Sequence, residues 1–252
     1  MTLALCIVFW RCAKQPEQPF SPADPANRHS YYPLSIGKWI EYTVDSVRYD
    51  FASTGGTSRD SLRTWVREEI RDTFTDNAGQ LLFRIERFER QSDTLPWQLK
   101  QVLAASRSNT QAIRTENNLR FLKLVFPVNR STRWNGNLWI DPYLEIEVAG
   151  ERIRPFTNWQ YKIDELDIPA QIDAFTFDSV LVVTEVDQTN AIERRLSRST
   201  YAKHIGLVQR EQWILDSQYC NQVPPPADCL TKPWTEKAET GYILQQIITG
   251  HN

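Results

Sequence analysis

Residues 62–90 read LRTWVREEIRDTFTDNAGQLLFRIERFER, and how this stretch is divided decides the fold. Leu62, Trp65, Val66, Ile70 and Phe74 fit a helical face, whereas Val66, Ile70 and Phe74 also fit the two-residue period of a strand. The turn that follows resolves the choice. Asn77-Ala78-Gly79 suits a three-residue hairpin loop whose last residue takes the left-handed conformation and forms a bulge. With Asp76 opposite Gln80, paired residue numbers sum to 156, which sets Asp72 by Arg84, Glu69 by Arg87 and Arg67 by Glu89, all of opposite charge. The register summing to 155 would oppose Arg71 to Arg84 and Glu69 to Glu86, and like charges directly opposite are unfavourable. The charged run from Arg67 to Arg90 therefore reads as cross-strand pairing on a solvated sheet face and not as a binding patch.

Outward from this hairpin the strand signals continue. Ile40, Tyr42 and Val44 alternate with Glu41, Thr43 and Asp45, as in a half-buried strand. Further strands are expected at 98–105, 111–115, 119–126, 159–163, 179–186, 192–199, 207–215 and 242–249, most of them separated by turn residues such as Ser108-Asn109 and Asn117-Asn118. Joined mainly in chain order, they predict a mostly β fold: a large antiparallel meander that must curl into a half-barrel, barrel or sandwich to cover its apolar face, with little helix. Residues 164–173 offer one short helical turn, limited by Pro169.

The 252 residues are 41% hydrophobic and 24% charged, with 29 basic against 31 acidic side chains and a net charge of -2. That composition supports one sizeable core. The basic residues are spread along the chain and lack the dense positive footprint that phosphate backbones require, so no nucleic-acid partner is expected. Leu3 to Trp10 is an eight-residue apolar run, far short of the roughly 18 residues that span a bilayer. Cys12 follows it, and then a polar stretch punctuated by Pro16, Pro19, Pro22, Pro25 and Pro33. This order suggests a signal-like segment over 1–12 ending at a lipidation candidate, Cys12, a Pro-rich tether over 13–32, and a single β-rich domain over 33–252. A buried N-terminal strand with an incidental Cys12 is the competing reading, and Cys6 is the weaker lipidation candidate because Ile7 to Trp10 would leave an apolar segment behind it. Cys220 and Cys229 bracket a short loop stiffened by Pro224, Pro225 and Pro226, a good place for a disulfide in an oxidising compartment, with free structural thiols as the alternative. Zinc is disfavoured there, since its sites use closer pairs and four ligands.

Three groups of residues resemble a known family: Tyr31-Tyr32-Pro33-Leu34 with Gly37, Trp39 and Tyr42; Phe126-Pro127 with Trp134-Asn135-Gly136-Asn137; and Tyr201-Ala202-Lys203 with Gly206-Leu207-Val208. Over residues 31–250 the chain is similar to a group of uncharacterised exported Gram-negative envelope lipoproteins with one β-rich domain behind a lipidated cysteine. The resemblance implies architecture and an outer-membrane location, with Cys12 at the acylated position. It implies no activity. Arg11 departs from the small residue that usually precedes that cysteine.

Enzymatic signatures are mostly absent from the sequence. There is no Gly-x-Ser-x-Gly elbow, no His-Glu-x-x-His and no phosphate-cradling glycine loop. A three-histidine metal site would need His29, His204 and His251 together, so neither a metal nor a cofactor is expected. Asp164, Glu165 and Asp167 are the densest acidic cluster and read as a solvated turn or a loose calcium ligand set before a catalytic pair. Trp134-Asn135-Gly136-Asn137 reads as a tight turn, because Asn-Gly accepts positive φ, and Gly206 as a sharp corner. Nine tryptophans are the outstanding feature of the composition; Trp39, Trp134, Trp139 and Trp159 are candidates to line a groove for an amphiphilic ligand. The leading expectation is a lipid-anchored, non-enzymatic binding or assembly module of the cell envelope, with the membrane and other envelope proteins as partners. A carrier for a lipid or glycan is the alternative, and an envelope glycan hydrolase the third.

Overall fold

A computed structural model of the chain describes residues 28–52 and 56–252. The signal-like segment, Cys6, Cys12 and most of the Pro-rich stretch lie outside them. In chain order the strands are β1 (Trp39–Phe51), β2 (Thr57–Thr75), β3 (Leu81–Arg90), β4 (Gln98–Arg107), β5 (Gln111–Glu116), β6 (Leu119–Val125), β7 (Arg133–Trp134), β8 (Ile146–Val148), β9 (Glu151–Ile153), β10 (Tyr161–Ile172), β11 (Phe175–Thr189), β12 (Glu193–Ala202), β13 (Gly206–Asp216) and β14 (Thr240–His251). Among the described residues the α-helix is confined to one turn, α1 (Trp234–Lys237).

Twelve strands form one antiparallel sheet in the order β6-β5-β4-β3-β2-β1-β14-β13-β12-β11-β10-β7, with β8 and β9 as a separate hairpin. The first and last strands pair at the middle of this sheet; β1–β6 form one wing as a meander and β10–β14 the other, with β7 added beside β10 at the edge. The sheet is nearly closed into a barrel, as a meander with one apolar face must be to exclude water. Its two edges are joined where the Leu122 N–H donates to the Gly136 carbonyl (2.8 Å) and Trp134 Nε1 donates to the Leu122 carbonyl (2.9 Å).

The deciding hairpin forms as expected at its tip and differs beyond it. Asp76 N–H donates to the Gln80 carbonyl (3.0 Å), Gly79 has φ 78°, and the Asp76 carboxylate accepts from the Ala78 and Gln80 amides. Asp72 stands opposite Arg84, but a bulge at Arg71 then shifts the register, so that Glu69 faces Glu86 and Glu68 faces Arg87. The expected pairs Glu69–Arg87 and Arg67–Glu89 do not form opposite one another. The bulge itself supplies the reason: Arg71 reaches both opposed carboxylates, Glu69 at 2.7 Å and Glu86 at 3.0 Å, and Arg84 adds a contact to Glu86 at 3.0 Å.

Residues 164–172 are strand, not a helical turn, and Asp173 begins the turn to β11. β10 absorbs Pro169 through register shifts between Ile163 and Ala170 and a positive φ (56°) at Asp167. Residues 28–32 also pack against the barrel. Tyr31 is fully buried and donates to Asp167 Oδ1 (2.7 Å), Arg28 Nε donates to Asp167 Oδ2 (2.9 Å), and Arg107 donates to the His29 and Tyr32 carbonyls. This segment packs in the main core with Leu103, Leu124, Tyr161 and Leu181.

Candidate functional site

The barrel interior holds a chain of charges on inward positions of five strands. Arg114 on β5 grips Glu68 on β2 with both terminal nitrogens (2.9 and 2.6 Å) and donates through Nε to Glu116 (2.9 Å). Lys123 on β6 donates to Glu185 on β11 (3.3 Å), and Glu185 also accepts from Ser197 (2.5 Å) and Ser199 (3.1 Å) on β12. Glu185 is 1% and Lys123 4% exposed. A charge buried this deeply is tolerated only when paired and hydrogen-bonded. Burial alone would raise the three carboxyl groups, but the adjoining cations reverse this: Arg114 holds Glu68 and Glu116 below the usual carboxylate range, and Lys123 and Arg210 do the same for Glu185. Burial pushes the Lys123 ammonium down, and Glu185 counters part of that.

Arg210 on β13 is the exception in this network. Its Nε has no hydrogen-bond partner, and its ion pair to Glu116 is 3.9 Å long, beyond hydrogen-bond reach. It is nevertheless buried, and its charge is retained because Glu116 and Glu185 outweigh the burial that would lower it.

Arg210 lies on a cavity of about 70 Å³ at one end of the barrel. The inner part is formed by the buried charges of Glu68, Arg114, Lys123 and Arg210, set among buried tyrosine side chains and the apolar Ile70 and Ile85. Half-buried Pro33, Leu34, Ile40, Ile205 and Leu207 form an apolar rim. Lys38 stands at the rim and donates to two backbone carbonyls, of His204 (2.8 Å) and Asn252 (3.4 Å). Four cationic side chains and one carboxylate thus line the cavity, while Glu116 and Glu185 sit behind the lining. The β12–β13 turn that supplies Ile205 is tight, with positive φ at His204 (66°) and Gly206 (105°), and the His204 amide is held by the Ser30 carbonyl (2.7 Å). Two of the three segments that carry the family resemblance, 31–42 and 201–208, therefore meet at this rim.

The third closes the barrel. Trp134-Asn135-Gly136-Asn137 is not a positive-φ glycine turn: Gly136 is needed because an added methyl group would run into the Tyr161 ring. Tyr161 in turn donates to Asn137 Oδ1 (3.1 Å).

The four candidate tryptophans do not share a groove. Trp134 and Trp159 are buried in the main core, with their indole N–H groups donated to the Leu122 and Pro155 carbonyls. Trp39 is half-buried beneath Arg67 (4.5 Å), and Trp139 is 44% exposed beneath Arg120 (4.3 Å). None of the four lines the cavity. Cys220 and Cys229 stand as free thiols, Cys220 Sγ donating to the Cys229 carbonyl (2.9 Å), so the expected disulfide is not formed in this structure. The acidic cluster is dispersed. Asp164 pairs with Lys162 and Thr184, Glu165 is exposed toward Arg130, and Asp167 binds Arg28, Tyr31, Ser179 and Lys203. Among the described residues no group of three or more His, Cys, Asp or Glu side chains is placed to hold a metal ion.

The interior charges escaped the sequence reading, although a signal exists. Lys123 interrupts Phe121-Leu122 and Leu124-Val125, and Glu185 interrupts the apolar run from Val180 to Val186. A lone charge inside an otherwise apolar strand must find a partner across the core.

No family model and no curated protein matches the sequence. Two solved structures are similar in outline. One, from Bacteroides fragilis, is described as an exported protein with a YmcC-like fold; it is 9% identical, with a TM-score of 0.40 over 88% of this chain and 98% of that one. The other, from Parabacteroides distasonis, is described as a lipoprotein; it is 12% identical, with a TM-score of 0.41 over 88% of this chain and 98% of that one.

Proposed function

We propose that this chain is a lipid-anchored cell-envelope protein, held at the outer membrane through Cys12, whose barrel is a non-enzymatic binding module working through its rimmed end. The observation that carries the binding role is the buried Arg210, with its Nε left without a hydrogen-bond partner, on a cavity with buried cations on its floor and an apolar rim. Buried donors are rarely left without acceptors, and a site that keeps them for a ligand is a standard exception. The carboxylates favour binding over hydrolysis. A glycosidase needs one carboxyl group held protonated near neutral pH, and Glu68, Glu116 and Glu185 are all held ionised by their cations.

The anchor rests on the order of the N-terminal sequence and on the resemblance to exported lipoproteins. Fifteen residues separate Cys12 from Arg28, four of them proline; extended at about 3.1 Å per residue, they reach roughly 45 Å and would hold the barrel clear of a membrane surface. Mass spectrometry of the N-terminus from the membrane fraction of the native host tests this. Acylated Cys12 as the first residue is expected; a soluble chain that retains Met1 and an unmodified Cys12 would overturn it.

A further inference from the structure

We infer that the cavity receives the carboxylate head of an amphiphile, set against Arg210, with the apolar part of the molecule leaving along Pro33, Leu34, Ile205 and Leu207. This deepens the binding-module reading and rests on it. Three observations converge on the ligand class. The first is the unpartnered Arg210 Nε on a buried guanidinium, whose planar fork matches a carboxylate through two parallel hydrogen bonds.

The second is the sign of the lining. Lys38, Arg114, Lys123 and Arg210 face Glu68 alone; Glu68 is already taken by Arg114, and Lys38 is satisfied only by backbone carbonyls. An incoming anion therefore meets positive charge at the rim and at the floor. The acids behind the floor, Glu116 and Glu185, limit how much negative charge the site accepts, which favours a monoanion over a doubly charged phosphate monoester.

The third is size and polarity. A cavity of about 70 Å³ that opens at its rim has room for a small polar head group and not for a whole amphiphile. The remainder of the molecule must lie at the rim, and the rim is apolar.

The test is calorimetric titration of the full chain carrying Cys12→Ala, which removes the acylation site, with octanoate, 1-octanol and octyl phosphate below their aggregation concentrations. Octanoate is expected to bind at least about tenfold more tightly than either of the others. Arg210→Met is expected to abolish that preference. Leu34→Glu, which places a like charge on the rim and leaves the floor intact, is expected to weaken octanoate at least about tenfold. Equal affinity for octanol, preference for octyl phosphate, no octanoate binding, or unchanged octanoate affinity in Leu34→Glu would each overturn the inference. If Arg210→Met does not fold, the ranking of the three probes and the Leu34 variant decide. Failure here leaves the acylation of Cys12 untouched, and a missing acyl group leaves the titration interpretable, so the two proposals fail separately.

Discussion

A methyl group added at Gly136 would meet the Tyr161 ring, so Gly136→Ala is expected to destabilise the fold by about 1–3 kcal/mol, read as a lowered thermal midpoint by circular dichroism. An unchanged midpoint would mean that this segment does not lie on the ring. The Asn-Gly pair suggested a turn from its local chemistry alone. The actual demand for glycine comes from a side chain on another strand, which no local pattern contains. Glu68 and Arg114 show the same limit in energetic form. Glu68→Gln leaves the Arg114 guanidinium buried without its bidentate partner and is expected to cost about 3–5 kcal/mol. The double variant Glu68→Met/Arg114→Met should cost clearly less than the two single changes added together, measured by urea unfolding; simple additivity would mean the pair is not coupled. Neither residue stood out in the sequence, because charges at inward positions read like charges at outward ones until the facing strand is known.

At the scale of elements, the hairpin of β2 and β3 separates what is local from what is not. Its turn, its tip register and the Asp72–Arg84 pair depend on residues within a few positions of one another, and all were legible. The bulge at Arg71 was not, because it brings together two carboxylates that pairwise rules hold apart and then inserts the guanidinium that reconciles them. Arg71→Ala is accordingly expected to cost about 0.5–1 kcal/mol, and adding Glu86→Gln should recover most of it. If the second change brings no recovery, Arg71 does not act by neutralising the opposed acids. The segment holding Cys220 and Cys229 offers a further test. In the oxidising compartment that the proposed location implies, the two thiols are expected to join, with a loss of two hydrogens by mass spectrometry and a gain of about 2–3 kcal/mol on closing so short a loop; thiols that stay free in protein from that compartment would contradict it.

For the molecule as a whole, the buried charges set a pH window. Glu68, Glu116 and Glu185 titrate below their ordinary 4.5 when folded, so their contribution is complete above that value and disappears as pH falls through the depressed folded values. Tyr31, Tyr32 and Tyr242 are pushed by burial from 10.0 up to about 12, so their contribution is complete below 10 and lost as pH rises toward 12. The urea midpoint is expected to fall below the acid limit and above the alkaline one; a midpoint that stays level down to pH 3 would remove the ionic network as a source of stability. The curled antiparallel sheet was legible because strand alternation and turn chemistry recur along the whole chain, whereas the polar interior was not, since it exists only once both wings face each other. The pairing of β1 with β14 also orders events in time. A chain emerging from its N-terminus can form the hairpins of one wing and then of the other, but the strand that unites them, Thr240–His251, arrives last. Until it does, the two wings are not united through β1 and β14, so this pairing of residues about 200 positions apart is expected to form late in folding.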